Sequence, residues 1–227
     1  VWYMRKKREF LRQRFFQQIN RVRMENLRSR ISPHFTFNVL GREINQFNGS
    51  EEVKHNLMEL VKYLRRSLEL TEKLSVSLQD ELDFVRTYIE LERGRVGENF
   101  VATITVEDGL DATRIMIPSM IVQIPVENAI KHGLAGKDGK KELMVYVSRE
   151  TNGIRITVTD NGRGYLPQVV SATRGTGTGL KVLYQTIQLL NTKNKSDKIR
   201  FNITNRSDGQ TGTEVSVYIP FRFSYDL

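Results

Sequence analysis

Apolar residues recur with a period that changes along the chain, and the changes divide it. Residues 4–31 contain neither Gly nor Pro, and Phe15, Ile19, Val22, Met24, Leu27 and Ile31 follow three-and-four spacing with one shift of phase. That spacing predicts a helix with an apolar seam, read either as a short two-stranded coiled coil or as an amphipathic helix lying on lipid or on its own domain. Ser32 and Pro33 then punctuate the chain as an N-cap and a first-turn proline, so a second helix is expected over about 33–47. Asn48-Gly49-Ser50 is a turn, and Ser50 with Glu51 and Glu52 caps a third helix at its positive end. The apolar face of that helix is Val53, Leu57, Leu60, Val61, Leu64 and Leu68. Two antiparallel helices form a hairpin, which buries its seams best against a second copy, as a dimeric four-helix bundle. A further helix starts at Ser77 and runs to about Arg93, turning Leu78, Leu82, Val85 and Ile89 inward.

From Phe100 the period falls to two. The run VATITV reads as a strand, a helix is expected from Pro118 to about Leu134, and Leu143–Arg149 and Ile154–Asp160 form a hairpin about Thr151-Asn152-Gly153. A glycine-rich loop leads to a helix over about 180–190, and the strands IRFNIT and TEVSVYIP close the chain. The expected class is α+β, with a helical hairpin followed by an α/β sandwich. The expected division is 1–31 as a signalling helix, 32–96 as dimerisation helices and 97–227 as the α/β domain.

The net charge of +9 invites a nucleic-acid reading, but its location argues otherwise. Residues 1–30 hold ten basic side chains against Glu9 and Glu25, leaving 25 basic and 24 acidic residues elsewhere. The globular part is almost neutral, and no base-reading motif is present, so nucleic acid is not an expected partner. Trp2 and Tyr3 followed by Arg5, Lys6, Lys7 and Arg8 resemble the cytoplasmic exit of a membrane helix. An opening on valine fits a membrane span lying upstream, so the expected location is the cytoplasmic portion of an inner-membrane protein. Cysteine is absent, which excludes disulfides and thiolate chemistry.

Three short segments carry the chemistry of the α/β domain. Asp160-Asn-Gly162-Arg-Gly164 ends a strand, where a carboxylate can accept from the exocyclic amine of adenine and glycines let the backbone turn beside a flat base. Surface turns use the same residues. Gly175-Thr-Gly177-Thr-Gly179-Leu180 precedes a helix, so exposed N–H groups and the helix dipole suit phosphate oxygens; it is neither a dinucleotide fingerprint nor a Walker loop. The helix ending VENAIKHG offers Asn128 as an oxygen ligand for Mg²⁺ and Lys131 as a point charge for phosphate, with His132 beside them. Alone, each could be a polar face over a core of Ile121, Ile124 and Val126. Upstream, His34 begins a helix in the segment ISPHFTFN, with Asn38 one turn later on the same face. A neutral imidazole is a competent nucleophile near neutral pH.

In this order the segments ISPHFTFNVLG, QIPVENAIKHG, DNGRG, GTGTGLKV and GTEVSVYIP resemble those of the LytS/YehU-type bacterial sensor histidine kinases, over essentially the whole chain from Met24. The resemblance implies a dimerising phosphotransfer hairpin joined to an ATP-binding domain of the GHKL type. It implies ATP and Mg²⁺ as the bound species and a homodimer that passes phosphate to a response-regulator receiver domain. By matching motifs, His34 would be the phosphoacceptor, Asn128 the Mg²⁺ ligand and Asp160 the adenine-reading carboxylate. Gly162, Gly164, Gly175, Gly177 and Gly179 would be the loop glycines, with Thr213 near the base. Gly41, Ile124 and Lys181 depart from the family, which tends to have Asn, Pro and Asn there. Phe35 follows His34 where many histidine kinases have an acid, so the base assisting His34 is not identified. The alternative function is a catalytically weak scaffold that binds ATP and dimerises. An ATP-hydrolysing switch would need a carboxylate one turn before Asn128, where Ile124 stands.

Overall fold

The computed structural model describes residues 73–165, 178–194 and 196–225, together with helical positions within 56–70. The first two expected helices, and with them His34, Asn38, Gly175 and Gly177, lie outside the described residues, as does the dimeric bundle.

A five-stranded sheet organises the rest. Its strands are β2 (Phe100–Val106), β4 (Lys141–Glu150), β5 (Gly153–Asp160), β6 (Arg200–Asn205) and β7 (Thr213–Pro220), in the order β2-β4-β5-β7-β6. The first pair is parallel and the others antiparallel. Alternation of side chains decides which face is covered. Leu143, Val145 and Val147 of β4 and Ile154, Ile156 and Val158 of β5 are buried, whereas Met144 and Tyr146 look outward. One face is therefore solvated, as antiparallel sheets permit.

The covered face receives three helices: α1 (Leu78–Val96), α2 (Gln123–Asn128) and α3 (Thr178–Lys193). In α1 the expected inward residues Leu78, Leu82, Val85 and Ile89 are buried, joined by Phe84 and Tyr88. Ser77 is its N-cap, its hydroxyl accepting from the Asp80 N–H at 3.0 Å. Gly97 ends the helix at φ +107°, a conformation that glycine adopts freely. These side chains form one core with the sheet and with Leu183, Ile187 and Leu190 of α3. At about 1.5–3 kcal/mol for each large buried side chain, that core holds α1 to the sheet domain.

The continuous helix expected over 118–134 is not what forms. Met116–Pro118 is a short strand, β3, paired antiparallel with β1 (Ser75–Ser77). Met120 then takes φ +71°, and α2 starts only at Gln123. The reason is the buried Glu81, whose carboxylate accepts from the N–H groups of Met120 (2.8 Å), Val122 (3.0 Å) and Gln123 (3.2 Å). It satisfies the donors that a helix start leaves open and places negative charge at the positive end. Pro125 sits in the first turn, where its missing N–H is tolerated. After Asn128 the chain loosens into a π-helical turn, Ala129–Gly133, closed by Leu134 N–H to Ala129 O at 2.8 Å.

Candidate functional site

Asp160 ends β5 with its side chain buried, about 4% exposed. Its neighbours come from three places in the chain. The Gly162 N–H donates to Oδ1 at 2.7 Å, and Thr213, the first residue of β7, contributes its backbone N–H and its hydroxyl. Burial raises the Asp160 pKa above the ordinary aspartate value, while the donors from Gly162 and Thr213 and the positive charge of Arg206 oppose that rise. The carboxylate is thus oriented by the donors from Gly162 and Thr213.

Glycines make this closeness sterically feasible. A Cβ at Gly133 would stand 2.7 Å from Asp160 Oδ1. One at Gly162 would collide with the Gly133 carbonyl, and one at Gly212 with the Asp160 carbonyl. Of the DNGRG glycines, Gly164 turns the backbone at φ +85°, and a Cβ there would lie 2.7 Å from Asn205 Oδ1. Gly162 serves instead to admit the Gly133 carbonyl. The same Asn205 Oδ1 accepts from the Tyr165 N–H at 2.6 Å, tying the exit of the turn to the end of β6. Gly212 and Asn205 were not singled out by sequence; the GTE before a closing strand was the signal available for Gly212.

Asn128 ends α2, half-buried, and its Nδ2 is buried without a hydrogen-bond partner. A buried amide nitrogen without a partner at a helix end is an exception that calls for an explanation, and a bound ligand is one. One turn on, Lys131 places Nζ 3.2 Å from Glu127 and 5.9 Å from the Tyr88 ring centroid. His132 is half-buried, and burial, with Lys131 and Arg163 nearby, lowers its pKa and favours the neutral ring. Its backbone carbonyl accepts from Arg163 Nε at 2.8 Å, so the α2 end and the DNGRG turn are joined directly.

The helix α3 begins at Thr178, two residues before Leu180, so Gly179 lies within it. A Cβ on Gly179 would be 3.4 Å from Ile124 Cγ2, which brings the first turn of α3 beside α2. Leu180 is half-buried against the core. Structure therefore gathers Asp160, Gly162, Gly164 and Thr213 at one end, and Asn128 of α2, Lys131 and His132 of the π-helical turn after it, and Gly179 of α3 at the other. Ile124 is buried in the core, which leaves an alkyl group where an ATP-hydrolysing enzyme would need a carboxylate. Among the described residues no three His, Cys, Asp or Glu side chains gather to hold a metal. A Mg²⁺ ion here fits only as Asn128 Oδ1 with phosphate oxygens and water, the manner in which Mg²⁺ is commonly held.

Comparison with known proteins gives this arrangement its context. Residues 22–100 match a family model described as histidine kinase, and residues 113–222 match one described as histidine kinase-, DNA gyrase B-, and HSP90-like ATPase. The chain is 28% identical over 205 residues to the sensor histidine kinase YpdA of Escherichia coli (strain K12), covering 90% of this chain and 35% of that protein. It is 32% identical over 197 residues to the sensor histidine kinase/phosphatase LytS of Staphylococcus aureus (strain MRSA252), covering 83% and 33%. It thus spans about a third of the length of these relatives. The histidine kinase domain of the blue-light activated histidine kinase from Erythrobacter litoralis EL346 shares the fold, with a TM-score of 0.50 at 15% identity over 91% of this chain and 94% of that one.

Proposed function

The chain belongs to the histidine kinases, and from that premise we propose that it is the kinase core of a bacterial two-component sensor, phosphorylating its own His34 from ATP and passing the phosphoryl group to an aspartate of a response regulator. The observation that carries the reading is the Asp160 cradle: a buried carboxylate held by Gly162 and Thr213 and crowded by three glycines, with a flank too close to admit a side chain.

Asp160 accepts from the adenine amine, and the glycine turn lets the base lie against backbone. Asn128 Oδ1 and Lys131 face the phosphates, with N–H groups of the glycine-rich segment through Gly175, Gly177 and Gly179 completing the anion site. Asn128 Oδ1 would hold Mg²⁺, which would neutralise phosphate charge there. In the transfer, a nitrogen of His34 forms a bond to the γ-phosphorus as the bond from that phosphorus to the ADP oxygen breaks. The imidazole gives up its proton to a base as that bond forms. Asn38, one turn after His34, holds a water in line with an aspartyl phosphate on the docked regulator, so its loss should slow dephosphorylation more than autophosphorylation. The kinase works as a homodimer at a membrane surface, where the basic residues Arg5, Lys6, Lys7 and Arg8 suit the cytoplasmic side.

The test is incubation with γ-labelled ATP and Mg²⁺. Label stable in base and lost in acid should appear on the chain and be absent from His34→Gln, which still binds ATP. Equal labelling of His34→Gln would falsify the assignment.

A further inference from the structure

A line of buried polar groups runs from the helical positions within 56–70 into α2, and none of it is needed to bind the base. Gln123 lies at its centre, fully buried. Its Nε2 donates to Glu127 Oε1 at 3.0 Å and to the Tyr63 hydroxyl at 3.4 Å, and its Oε1 has no partner. The second oxygen of Glu127 holds Lys131 Nζ at 3.2 Å. Aromatic contact follows the same route. Tyr63 stacks on Phe84 with centroids 4.9 Å apart and lies 5.9 Å from the Tyr88 ring, over which Lys131 Nζ stands at 5.9 Å.

We propose that Gln123 is a positioning residue, through which the helix bearing Tyr63 sets the place of the Lys131 ammonium that meets the ATP phosphates. This rests on the ATP-binding reading above and adds how the phosphate end of that site is controlled. One carboxylate oxygen of Glu127 is occupied by Gln123, so the other is presented to Lys131 in a single orientation. When the Tyr63 hydroxyl moves with its helix, the shared Nε2 must move or lose a bond, and Glu127 carries the change one turn further to Lys131. A buried amide with an unsatisfied Oε1 suits such a role, because its cost is tolerated only where position matters more than stability. A second link joins that helix to the approach of α2: Ser119, just ahead of α2, donates from its hydroxyl to the Leu70 carbonyl and from its N–H to the Leu74 carbonyl at 3.1 Å.

The experiment compares affinities for ATP and for adenosine in the full chain. Gln123→Met keeps the buried volume and removes both hydrogen bonds. Tyr63→Phe keeps the ring stack and removes only the hydroxyl. ATP affinity should fall about fivefold in Gln123→Met and about twofold in Tyr63→Phe, while adenosine affinity stays at the wild-type level. Adenosine lacks the phosphates that Lys131 meets, so a loss confined to ATP isolates the phosphate end. Equal losses for both ligands would mean that Gln123 merely supports the fold, and unchanged ATP affinity would mean that Lys131 does not depend on it. Either outcome overturns the proposal. A wild-type chain that binds neither ligand would instead defeat the ATP-binding reading itself.

Discussion

The two ends of the site are built on opposite principles. Around Asp160 most of the neighbours are backbone: the Gly162 N–H, the Thr213 N–H beside its hydroxyl, and the carbonyls that Gly162 and Gly212 approach too closely for any side chain. Around Asn128 the neighbours are long side chains, with a buried amide nitrogen unpartnered, a lysine shared with Glu127 and a short helix started by one distant carboxylate. A base is flat and always the same shape, so a rigid seat suits it. Phosphates and their metal change between substrate and product, and a side-chain shelf can be adjusted.

If that contrast is real, a methyl group should do most damage at the base end. Gly162→Ala drives a Cβ into the Gly133 carbonyl, where no flexible side chain can give way. It should cost about 3 kcal/mol of stability, read by urea denaturation, and abolish nucleotide binding. At the other end the sensitive residue is remote. Glu81→Gln replaces a carboxylate that receives three backbone N–H groups with an amide that offers them only one acceptor oxygen. A loss of about 2 kcal/mol is expected, again by urea denaturation, with α2 exchanging its amide protons faster.

Asn128→Ala sharpens the comparison in the opposite sense. Its buried Nδ2 has no partner to lose, so stability should change by less than about 0.5 kcal/mol. The Mg²⁺-dependent part of ATP binding should disappear, whereas adenosine binding persists. A large loss of stability would place Asn128 among the structural residues.

The smallest effect concerns His132. Its folded pKa lies below its unfolded value because burial and the charges of Lys131 and Arg163 oppose protonation. The unfolded chain therefore binds the proton more readily. Stability is fully present above the unfolded pKa, near 6.5, and declines as pH falls through that value toward the lower folded pKa. His132→Gln should flatten this acid-side slope of thermal stability, and an unchanged slope would assign it to other groups.

Much of this was legible because period and motif order are local properties. The strands β2, β4, β5, β6 and β7 alternate cleanly, and the inward face of α1 follows from its spacing. Asp160 and its glycines stood out because glycine pairs beside an acid at a strand end are chemically conspicuous. The interrupted helix over 118–134 was not legible. Its break depends on Glu81, some forty residues earlier in the chain, and apolar spacing carries no record of that carboxylate. The strands β1 and β3 are three residues each, too short to show alternation. Gln123, Tyr63 and Glu127 are ordinary helix residues until packing joins them.

Asp160 can tell one purine from another by the group it meets on the base edge. Guanine carries a carbonyl oxygen where adenine carries its amine, so it sets an acceptor against the carboxylate. Titration of wild type and Asp160→Asn with ATP and with GTP, under the same Mg²⁺, measures that discrimination. Wild type should prefer ATP by about tenfold or more, the worth of one hydrogen bond to a charged group, and Asp160→Asn should lose most of that preference. Equal affinity of the wild-type chain for ATP and GTP would contradict the assignment of the cradle as the adenine seat.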